Sequence, residues 1–249
     1  MVIDIHAHIW GRDIPGSKQK MLQAIDRYGI DRVYISGLQS PNPSEEEVDF
    51  LNSHVAHFMR EEPERVGGAV YCNPRNKNTM DVIRWGIEEN GFEMIKLWAS
   101  IYADDPAVDP IMAYAEETGV PVLIHAIHDS IRQPENCSTA VHVANLARRH
   151  PKTKILMAHF GGSCYHGIPA IRACGNVWCD MSGPAVHGEE LDYAVEMLGA
   201  ERVLFGTDLP GAAYITNYAQ VMGAELTEEQ RQLIFYKNAQ KLLNRAFRL

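Results

Sequence analysis

Cysteine is scarce in this sequence. Five Cys residues are present, an odd number, and no two of them form a CxxC pair. This pattern argues against a disulfide framework and is typical of free thiols in a reducing compartment. The first residues, MVIDIHAHIWG, contain neither the basic segment nor the apolar segment of a signal peptide. We therefore predict a cytoplasmic location.

Long apolar runs and an excess of positive charge are also absent. No segment approaches the roughly 20 uninterrupted apolar residues that a transmembrane helix needs. Lys and Arg number 23 against 32 Asp and Glu, which gives a net charge of −9. We therefore expect no nucleic-acid partner and no membrane association. No GxGxxG turn occurs, which argues against an open dinucleotide-binding sheet.

The sequence does contain a regular alternation of short apolar runs and helical segments. The eight apolar runs are Val2–His8, Arg32–Ser36, Val66–Tyr71, Met94–Trp98, Val120–His125, Lys154–His159, Asn176–Met181 and Arg202–Thr207. The helical segments are Lys18–Tyr28, Glu45–Arg60, Met80–Asn90, Pro110–Thr118, Ser138–His150, Ile168–Cys174, Glu189–Leu198, Ala212–Met222 and Glu228–Asn244. Alternation of this kind indicates parallel strands joined by helices. Eight units in 249 residues predict an α/β fold, a (β/α)8 TIM barrel that forms a single domain over residues 1–249.

The first predicted strand carries two histidines at its carboxyl end. Strict alternation places Asp4, His6 and His8 on the face that lines the barrel, and Ile3 and Ile5 on the face that meets the helices. Two imidazoles on one face of a strand suit a metal ion. Taken alone, the pair is equally consistent with two surface histidines at the end of a strand.

Three further strands end in a side chain that can bind a metal. His125 ends the fifth apolar run, His159 ends the sixth, and Asp208 follows the eighth. Active sites of TIM barrels lie at the carboxyl ends of their strands. A hydrogen-bonded core histidine would explain any one of these positions, but the set together predicts a metal site.

These motifs resemble those of the metal-dependent amidohydrolase superfamily. The resemblance is strongest to its amidohydrolase-2 branch, which includes aminocarboxymuconate-semialdehyde decarboxylase and related lactone hydrolases. The matching motifs are Ile3-Asp4-Ile5-His6-Ala7-His8, Val122-Leu123-Ile124-His125, Ala158-His159-Phe160-Gly161-Gly162 and Leu204-Phe205-Gly206-Thr207-Asp208-Leu209-Pro210. They extend from the first strand to the eighth, so the resemblance covers nearly the whole chain.

The resemblance implies a role for each matching residue. His6, His8, His125 and Asp208 would bind one divalent metal ion, with Zn²⁺ expected and Mn²⁺, Co²⁺ or Fe²⁺ as alternatives. Asp208 would also act in catalysis, by accepting a proton from a metal-activated water. His159 would be a second catalytic acid or base, or a ligand to a second metal.

Lys96 has three alternative roles. It lies near the end of the fourth strand, where the alternation of side chains between the two faces places it inside the barrel. In two-metal members of the superfamily, a lysine at this position is carbamylated and bridges the metals. Alternatively, Lys96 contacts substrate or forms an ion pair with Asp4 or Asp180. We expect a single metal.

The loops that follow the strands supply candidates for substrate binding. Arg12 is suited to bidentate pairing with a carboxylate. Trp98 is suited to contact with an apolar or aromatic substrate. The full set of candidates is Trp10, Arg12, Lys96, Trp98, His128, Arg132, His166 and His187. Asp180 and Ser182, at the end of the seventh strand, are candidate partners of the metal ligands.

Together the motifs predict a metal-dependent hydrolase that acts on a C–O or C–N bond of a small carbonyl compound. A carboxylated lactone, ester or amide is the expected substrate. The alternative within the same fold is a non-oxidative decarboxylase, a lyase, of a small unsaturated or aromatic acid. An alternative of another class is a catalytically silent barrel that binds a ligand. The expected partner is a small molecule, and the resemblance is compatible with a homodimer.

Overall fold

Eight parallel strands alternate with helices along the chain. The computed structural model of the protein describes residues 1–183 and 189–244. The strands are β1 (Ile3–Trp10), β2 (Arg32–Leu38), β3 (Val66–Tyr71), β4 (Met94–Leu97), β5 (Val122–Ile124), β6 (Ile155–Met157), β7 (Val177–Asp180) and β8 (Val203–Leu204). The helices are α1 (Ile14–Tyr28), α2 (Glu45–Glu61), α3 (Thr79–Arg84), α4 (Asp109–Thr118), α5 (Ala140–Arg149), α6 (Cys164–Ile171), α7 (Glu190–Leu198), α8 (Tyr214–Gly223), α9 (Glu228–Gln232) and α10 (Asn238–Leu242).

The strands pair in sequence order, β1 to β8, and every pair is parallel. Backbone hydrogen bonds connect the last strand to the first: the N–H of Ile5 donates to the carbonyl of Phe205 (3.0 Å), and that of His8 to Leu209 (2.6 Å). These contacts close the sheet into a barrel. The prediction of a single-domain (β/α)8 TIM barrel is confirmed.

Two apolar clusters fill the inside and the outside of the barrel. The inner cluster draws on strands and on α10, and its strand members are Ile3, Ile5, Tyr34, Ala69, Met94, Leu123, Leu156 and Leu204. The outer cluster packs the other faces of the strands against the surrounding helices. Helix α10 closes the end of the barrel where the strands begin, and Asn238 Nδ2 donates to the carbonyls of Ala200 and Val203 (2.7 Å each). The other end is therefore the one that stays open for a site.

Strand β1 contains a bulge. Asp4 pairs with Val33 of β2, but Ala7 pairs with Ile35, so three steps along β1 correspond to two along β2. One extra residue in a strand breaks the strict alternation of side chains between the two faces.

The bulge overturns part of the alternation prediction. Ile3 and Ile5 belong to the inner cluster rather than to the face that meets the helices. The Asp4 carboxylate instead accepts hydrogen bonds from the backbone N–H of Thr207 (3.0 Å) and from its hydroxyl (2.5 Å). Asp4 therefore does not share a face with the two histidines of β1, and it is not the partner of Lys96.

Several helix boundaries differ from the predicted ones. The predicted helix Met80–Asn90 is observed as α3 followed by a π-helical turn over Trp85–Glu89. The last helix is likewise divided by a π-helical turn, which separates α9 from α10. Helix α6 begins four residues before the predicted Ile168. Gly167 lies inside this helix and close to the preceding turn, where a Cβ at its position would lie 2.0 Å from the Phe160 carbonyl. Within the described ranges, every helix is too short or too polar to cross a lipid bilayer.

A buried amide on α2 completes the hydrogen bonding at the end of β3. Asn52 is 0% exposed; its Nδ2 donates to the Tyr71 carbonyl (2.8 Å), and its Oδ1 accepts from the Tyr71 N–H (3.0 Å). Since Tyr71 is the last residue of β3, the side chain takes the place of a neighbouring strand.

We predict that Asn52→Ala lowers the free energy of unfolding by about 2–4 kcal/mol, because it leaves two buried backbone groups without partners. Urea denaturation of the two proteins measures the difference. The matched control is Ser53→Ala at the next, exposed position of α2, expected to change stability by less than about 0.5 kcal/mol. Equal effects of the two substitutions would contradict this role of Asn52.

Candidate active site

The carboxyl ends of four strands bring five predicted site residues together at the open end of the barrel. Nε2 of His6 lies 3.1 Å from Nε2 of His8, which in turn lies 3.0 Å from Oδ1 of Asp208. Nε2 of His159 lies 3.1 Å from Nδ1 of His125. The rings of His6 and His159 connect the two groups, with centroids 5.0 Å apart. The five side chains form one contiguous cluster.

The Nδ1 nitrogens of the two β1 histidines contact side chains at the ends of two other strands, β7 and β2. Nδ1 of His6 contacts Oδ2 of Asp180 at 3.0 Å, and Nδ1 of His8 contacts Oγ of Ser36 at 2.9 Å. With a proton on each Nδ1, both Nε2 atoms direct a lone pair at the same point. Asp180 occupies the supporting position predicted for it. Ser36, at the end of β2, was not predicted, because one serine in a strand has no distinctive pattern.

Burial keeps these imidazoles neutral. It lowers the pKa of His6 to about 3, helped by the nearby Lys96, and it also lowers the pKa of His8 and of His125. Burial acts to raise the pKa of Asp208, but the neighbouring imidazoles, His8 first among them, hold that pKa well below its usual range. The cluster therefore offers neutral nitrogens and a carboxylate.

This donor set fits a divalent metal ion. Metal ligands must be deprotonated, and neutral imidazole with carboxylate is a common combination. Bonds of about 2.1 Å at octahedral or tetrahedral angles place neighbouring ligand atoms about 3.0–3.4 Å apart. The contact of His6 with His8, at 3.1 Å, and that of His8 with Asp208, at 3.0 Å, match this spacing. These three side chains could hold a metal.

His125 and His159, which follow β5 and β6, differ in how close they lie to the triad of His6, His8 and Asp208. Ligand atoms of His6, His8 and Asp208 lie within 4.8 Å of one another, and so do those of His6, His159 and Asp180. His125 belongs to neither group of three and reaches the cluster through His159. Its role as a fourth ligand stays a prediction.

Two residues of the cluster have a left-handed backbone. His159 has a φ of 60°, its neighbour Phe160 a φ of 48°, and Asp208 a φ of 66°. Residues other than glycine adopt this conformation at a cost of about 1–2 kcal/mol, and such residues gather at functional sites. The N–H of His159 donates to Asp180 Oδ1 (3.1 Å), and that of Asp208 to the His6 carbonyl (2.7 Å). These bonds hold both turns beside the cluster.

Lys96 lies inside the barrel, as its position in β4 predicts. It is 0% exposed, and its Nζ is 3.0 Å from Nε2 of His6. Burial lowers the pKa of this ammonium group to about 8, although the charges of Asp180 and Asp208 act in the opposite direction. The side chain thus stands against the cluster rather than in an ion pair with Asp4.

Two of the predicted substrate-binding residues flank the cluster. The ring of Trp10 lies 5.9 Å from that of His8, and the ring of Trp98 lies 6.3 Å from that of His125, measured between centroids. The two indoles are 6.4 Å from each other. They form an aromatic wall on the β1 and β4 side of the cluster.

Of the five remaining loop candidates, the structure describes four. Arg12, Arg132 and His166 are exposed. His128 is half-buried and stacks on His166, with ring centroids 4.5 Å apart. His187 lies outside the described residues. Substrate contact by these five side chains stays a prediction.

A cavity of about 200 Å³ adjoins the cluster on the β5 to β8 side. Its lining residues are His125, Ile127, His159, Phe160, Gly162, Cys164, Met181, Ser182, Gly183, Glu190, Asp208 and Gln220. Three of them, Cys164, Glu190 and Gln220, belong to helices α6, α7 and α8. Sequence analysis did not identify these three, because a polar residue in an amphipathic helix has the same pattern whether it faces a cavity or solvent.

The sequence profile of the amidohydrolase family matches residues 3–245, and the chain belongs to this family. The 2-amino-3-carboxymuconate-6-semialdehyde decarboxylase of Dictyostelium discoideum is 24% identical over 255 residues, which cover 83% of this chain and 68% of that protein. The predicted relationship to the amidohydrolase-2 branch is confirmed.

Solved structures share the fold at low sequence identity. A dihydroxybenzoic acid decarboxylase from Polaromonas sp. JS666, with bound manganese and the inhibitor 2-nitroresorcinol, has a TM-score of 0.79 at 18% identity, and the match covers 98% of both chains. A 4-oxalomesaconate hydratase from Rhodopseudomonas palustris has a TM-score of 0.71 at 19% identity, covering 98% of this chain and 96% of that one.

We predict that His8→Ala removes most of the bound metal, because it deletes the nitrogen that lies between His6 and Asp208. Elemental analysis of protein purified without chelator, and again after dialysis against Zn²⁺ or Mn²⁺, measures the metal content per chain. The control is His57→Ala, at an exposed position of α2, which should keep the wild-type content. Equal metal content in both variants would contradict the assignment.

The pH dependence of stability gives a second test, on protein stripped of metal. An unfolded histidine titrates near pH 6.5, whereas folded His6 titrates near 3. Between these values the unfolded chain binds the extra proton, so stability falls as the pH decreases. We predict that His6→Gln makes the free energy of unfolding less dependent on pH. The slope of this free energy against pH should decrease by about 1.4 kcal/mol per pH unit over roughly pH 4.5–6. Urea titrations at each pH measure it, with His57→Gln as the control that keeps the wild-type slope.

Proposed function

We propose that this protein is a metal-dependent, non-oxidative decarboxylase of a small unsaturated or aromatic acid. The observation that carries the proposal is the cluster of four imidazoles and Asp208 beside a cavity of about 200 Å³. For comparison, an apolar cavity of about 150 Å³ holds benzene. The space therefore suits one ring, or an open-chain acid of similar size.

Two observations favour decarboxylation over the hydrolysis that the motifs first suggested. Both decarboxylases in the comparison are named for an unsaturated or an aromatic acid. Hydrolysis also needs a base to take the proton of the attacking water. Asp208 was the predicted base, and its lowered pKa makes it a weak one.

The reaction breaks the bond between the substrate carbon and its carboxylate carbon. The electron pair stays on the substrate carbon, CO₂ leaves, and a proton takes its place. A divalent cation bound by His6, His8 and Asp208, with His125 as the predicted fourth ligand, would supply positive charge that binds substrate oxygen and draws electrons from the reacting carbon. The protein's own groups must orient the acid and deliver the proton.

His159 is the proposed proton donor. Its Nδ1 lies 3.0 Å from the Ser182 carbonyl and 2.9 Å from Ser182 Oγ, so an N–H at this atom is held by oxygen acceptors. Its Nε2 lies on the side of His125, and both histidines line the cavity. A proton held at Nε2 can therefore reach a substrate carbon in the cavity.

The apolar part of the cavity wall supports the same reaction. Ile127, Phe160 and Met181 line the cavity, and their side chains offer no hydrogen bonds to water. A carboxylate loses solvation in such surroundings, whereas CO₂ is neutral and loses little. The wall therefore favours the product of bond cleavage.

The identity of the metal, the cellular location, the partner and the oligomeric state are also part of this proposal. We propose one Zn²⁺ ion, with Mn²⁺ as the first alternative because a decarboxylase of the same fold holds manganese. Co²⁺, Fe²⁺ and a second metal at a carbamylated Lys96 are further alternatives. A cytoplasmic location, a small-molecule partner and a homodimer are also proposed from the sequence.

Metal-loaded protein should release CO₂ from at least one member of a panel of aromatic and unsaturated acids. In D₂O the product should carry one deuterium at the carbon that lost the carboxylate. Gas analysis and NMR measure these outcomes. Incorporation of ¹⁸O from labelled water into a lactone, ester or amide, without release of CO₂, would favour the hydrolase instead.

We predict that His159→Asn lowers turnover about 10²–10⁴-fold, because it removes the proton donor. Metal content should stay at the wild-type level, since His159 lies outside the triad of His6, His8 and Asp208. His57→Asn, on the outer surface of the barrel, is the control with unchanged turnover. Wild-type turnover in His159→Asn would show that the proton comes from another group.

A further inference from the structure

Glu190 is a buried acid in the wall of the cavity. It is the first residue of α7 and is 8% exposed. It lines the same cavity as His125, His159 and Asp208, but it belongs to a helix rather than to a strand end. The cavity thus has a strand-borne wall with the candidate metal ligands, and a helix-borne wall formed by Cys164, Glu190 and Gln220.

Among the described residues, the Glu190 carboxylate has no hydrogen-bond or ion-pair partner. The backbone carbonyl of the same residue accepts a hydrogen bond from the Cys164 thiol at 3.2 Å. A carboxylate that loses part of its hydration in a cavity wall, without gaining a donor from the protein, carries a free-energy cost. The amino end of α7 reduces this cost, because a helix amino terminus favours negative charge, but it leaves the hydrogen-bonding capacity of the carboxylate unused.

The composition of the cavity wall limits what can fill this capacity. None of the described lining residues is Lys or Arg, so a second carboxylate or a phosphate at the helix-borne wall would face Glu190 without a counter-charge. A group that donates a hydrogen bond is complementary to it. Hydroxyl and amino groups are the common donors of small organic acids.

We propose that Glu190 binds a hydroxyl or amino group of the substrate, at the part of the molecule that lies away from the carboxylate to be lost. This inference rests on the proposed decarboxylase function and narrows its substrate class. The substrate is a small acid, of about one ring in size, with a single carboxylate and a hydrogen-bond donor as a second substituent. Glu190 is a specificity-determining residue and takes no part in breaking the bond.

Binding measurements on metal-loaded protein test this assignment without relying on turnover. The probes are benzoate, 3-hydroxybenzoate, 4-hydroxybenzoate, 3-aminobenzoate, 4-aminobenzoate and terephthalate, and calorimetry gives the Kd of each. At least one hydroxyl or amino acid of the series should bind about 10- to 100-fold more tightly than benzoate, the gain from a hydrogen bond to a charged group. Terephthalate should bind more weakly than benzoate.

Substitution of Glu190 should remove this preference. Glu190→Ala should bind benzoate and the preferred probe with similar Kd values, and Glu190→Gln should lose part of the preference and improve terephthalate binding. The matched control is Glu189→Gln, the exposed neighbour, which should keep the wild-type order. Thermal unfolding and metal content verify that each variant is folded. If Glu190→Ala does not fold, the isosteric Glu190→Gln decides the test.

The outcomes separate this inference from the function on which it rests. A preference that survives in the Glu190 variants overturns the assignment, and so does equal binding of all probes to the wild type. Failure of every ring acid to bind at millimolar concentration overturns the substrate class. If the preference depends on Glu190 but no acid releases CO₂, the subsite stands and the decarboxylase proposal fails.

Discussion

The site depends on the carboxylate of Asp180. Its Oδ2 holds Nδ1 of His6 at 3.0 Å, and its Oδ1 accepts the backbone N–H of His159 at 3.1 Å and that of Ser182 at 3.0 Å. One side chain thus fixes the tautomer of a candidate metal ligand and stabilises the left-handed turn of the proposed acid. Burial opposes its charge, but the neighbouring His6 keeps the pKa of Asp180 well below its usual range. Without this carboxylate, the candidate metal ligands and the proposed proton donor would lose their common support.

The sequence was sufficient to predict the barrel and the five residues of the cluster. This is possible because parallel strands of one barrel end at the same face, so a side chain that ends a strand has a known neighbourhood. The bulge in β1 could not be predicted, since it depends on the register of β1 against β2 rather than on the composition of either strand. For a related reason, Ser36 and Glu190 were not predicted as site residues. Their importance comes from contacts between elements that are distant in the chain, and neither residue type is distinctive by itself.

The two walls of the cavity divide the chemistry. Strand ends supply the candidate metal ligands and the proposed proton donor, on a scaffold fixed by hydrogen bonds between neighbouring strands. Helices α6, α7 and α8 supply Cys164, Glu190 and Gln220, which lie outside the hydrogen-bonded sheet. A substitution on the helix-borne wall can therefore change which acid is accepted while leaving the cluster intact. The net charge of −9 has little bearing on this choice, because the cavity itself places two acids, Asp208 and Glu190, and two imidazoles at short range.

The bulge in β1 also determines how abruptly the barrel interior changes from apolar to polar side chains. Because of the extra residue, Ile5 and His6 both serve the interior, one in the apolar cluster and the next in contact with Asp180 and Lys96. The apolar and the polar parts of the barrel interior therefore meet between two consecutive residues of β1. A cation held by His6, His8 and Asp208 would therefore find polar side chains toward the open end of the barrel and apolar side chains toward the closed end.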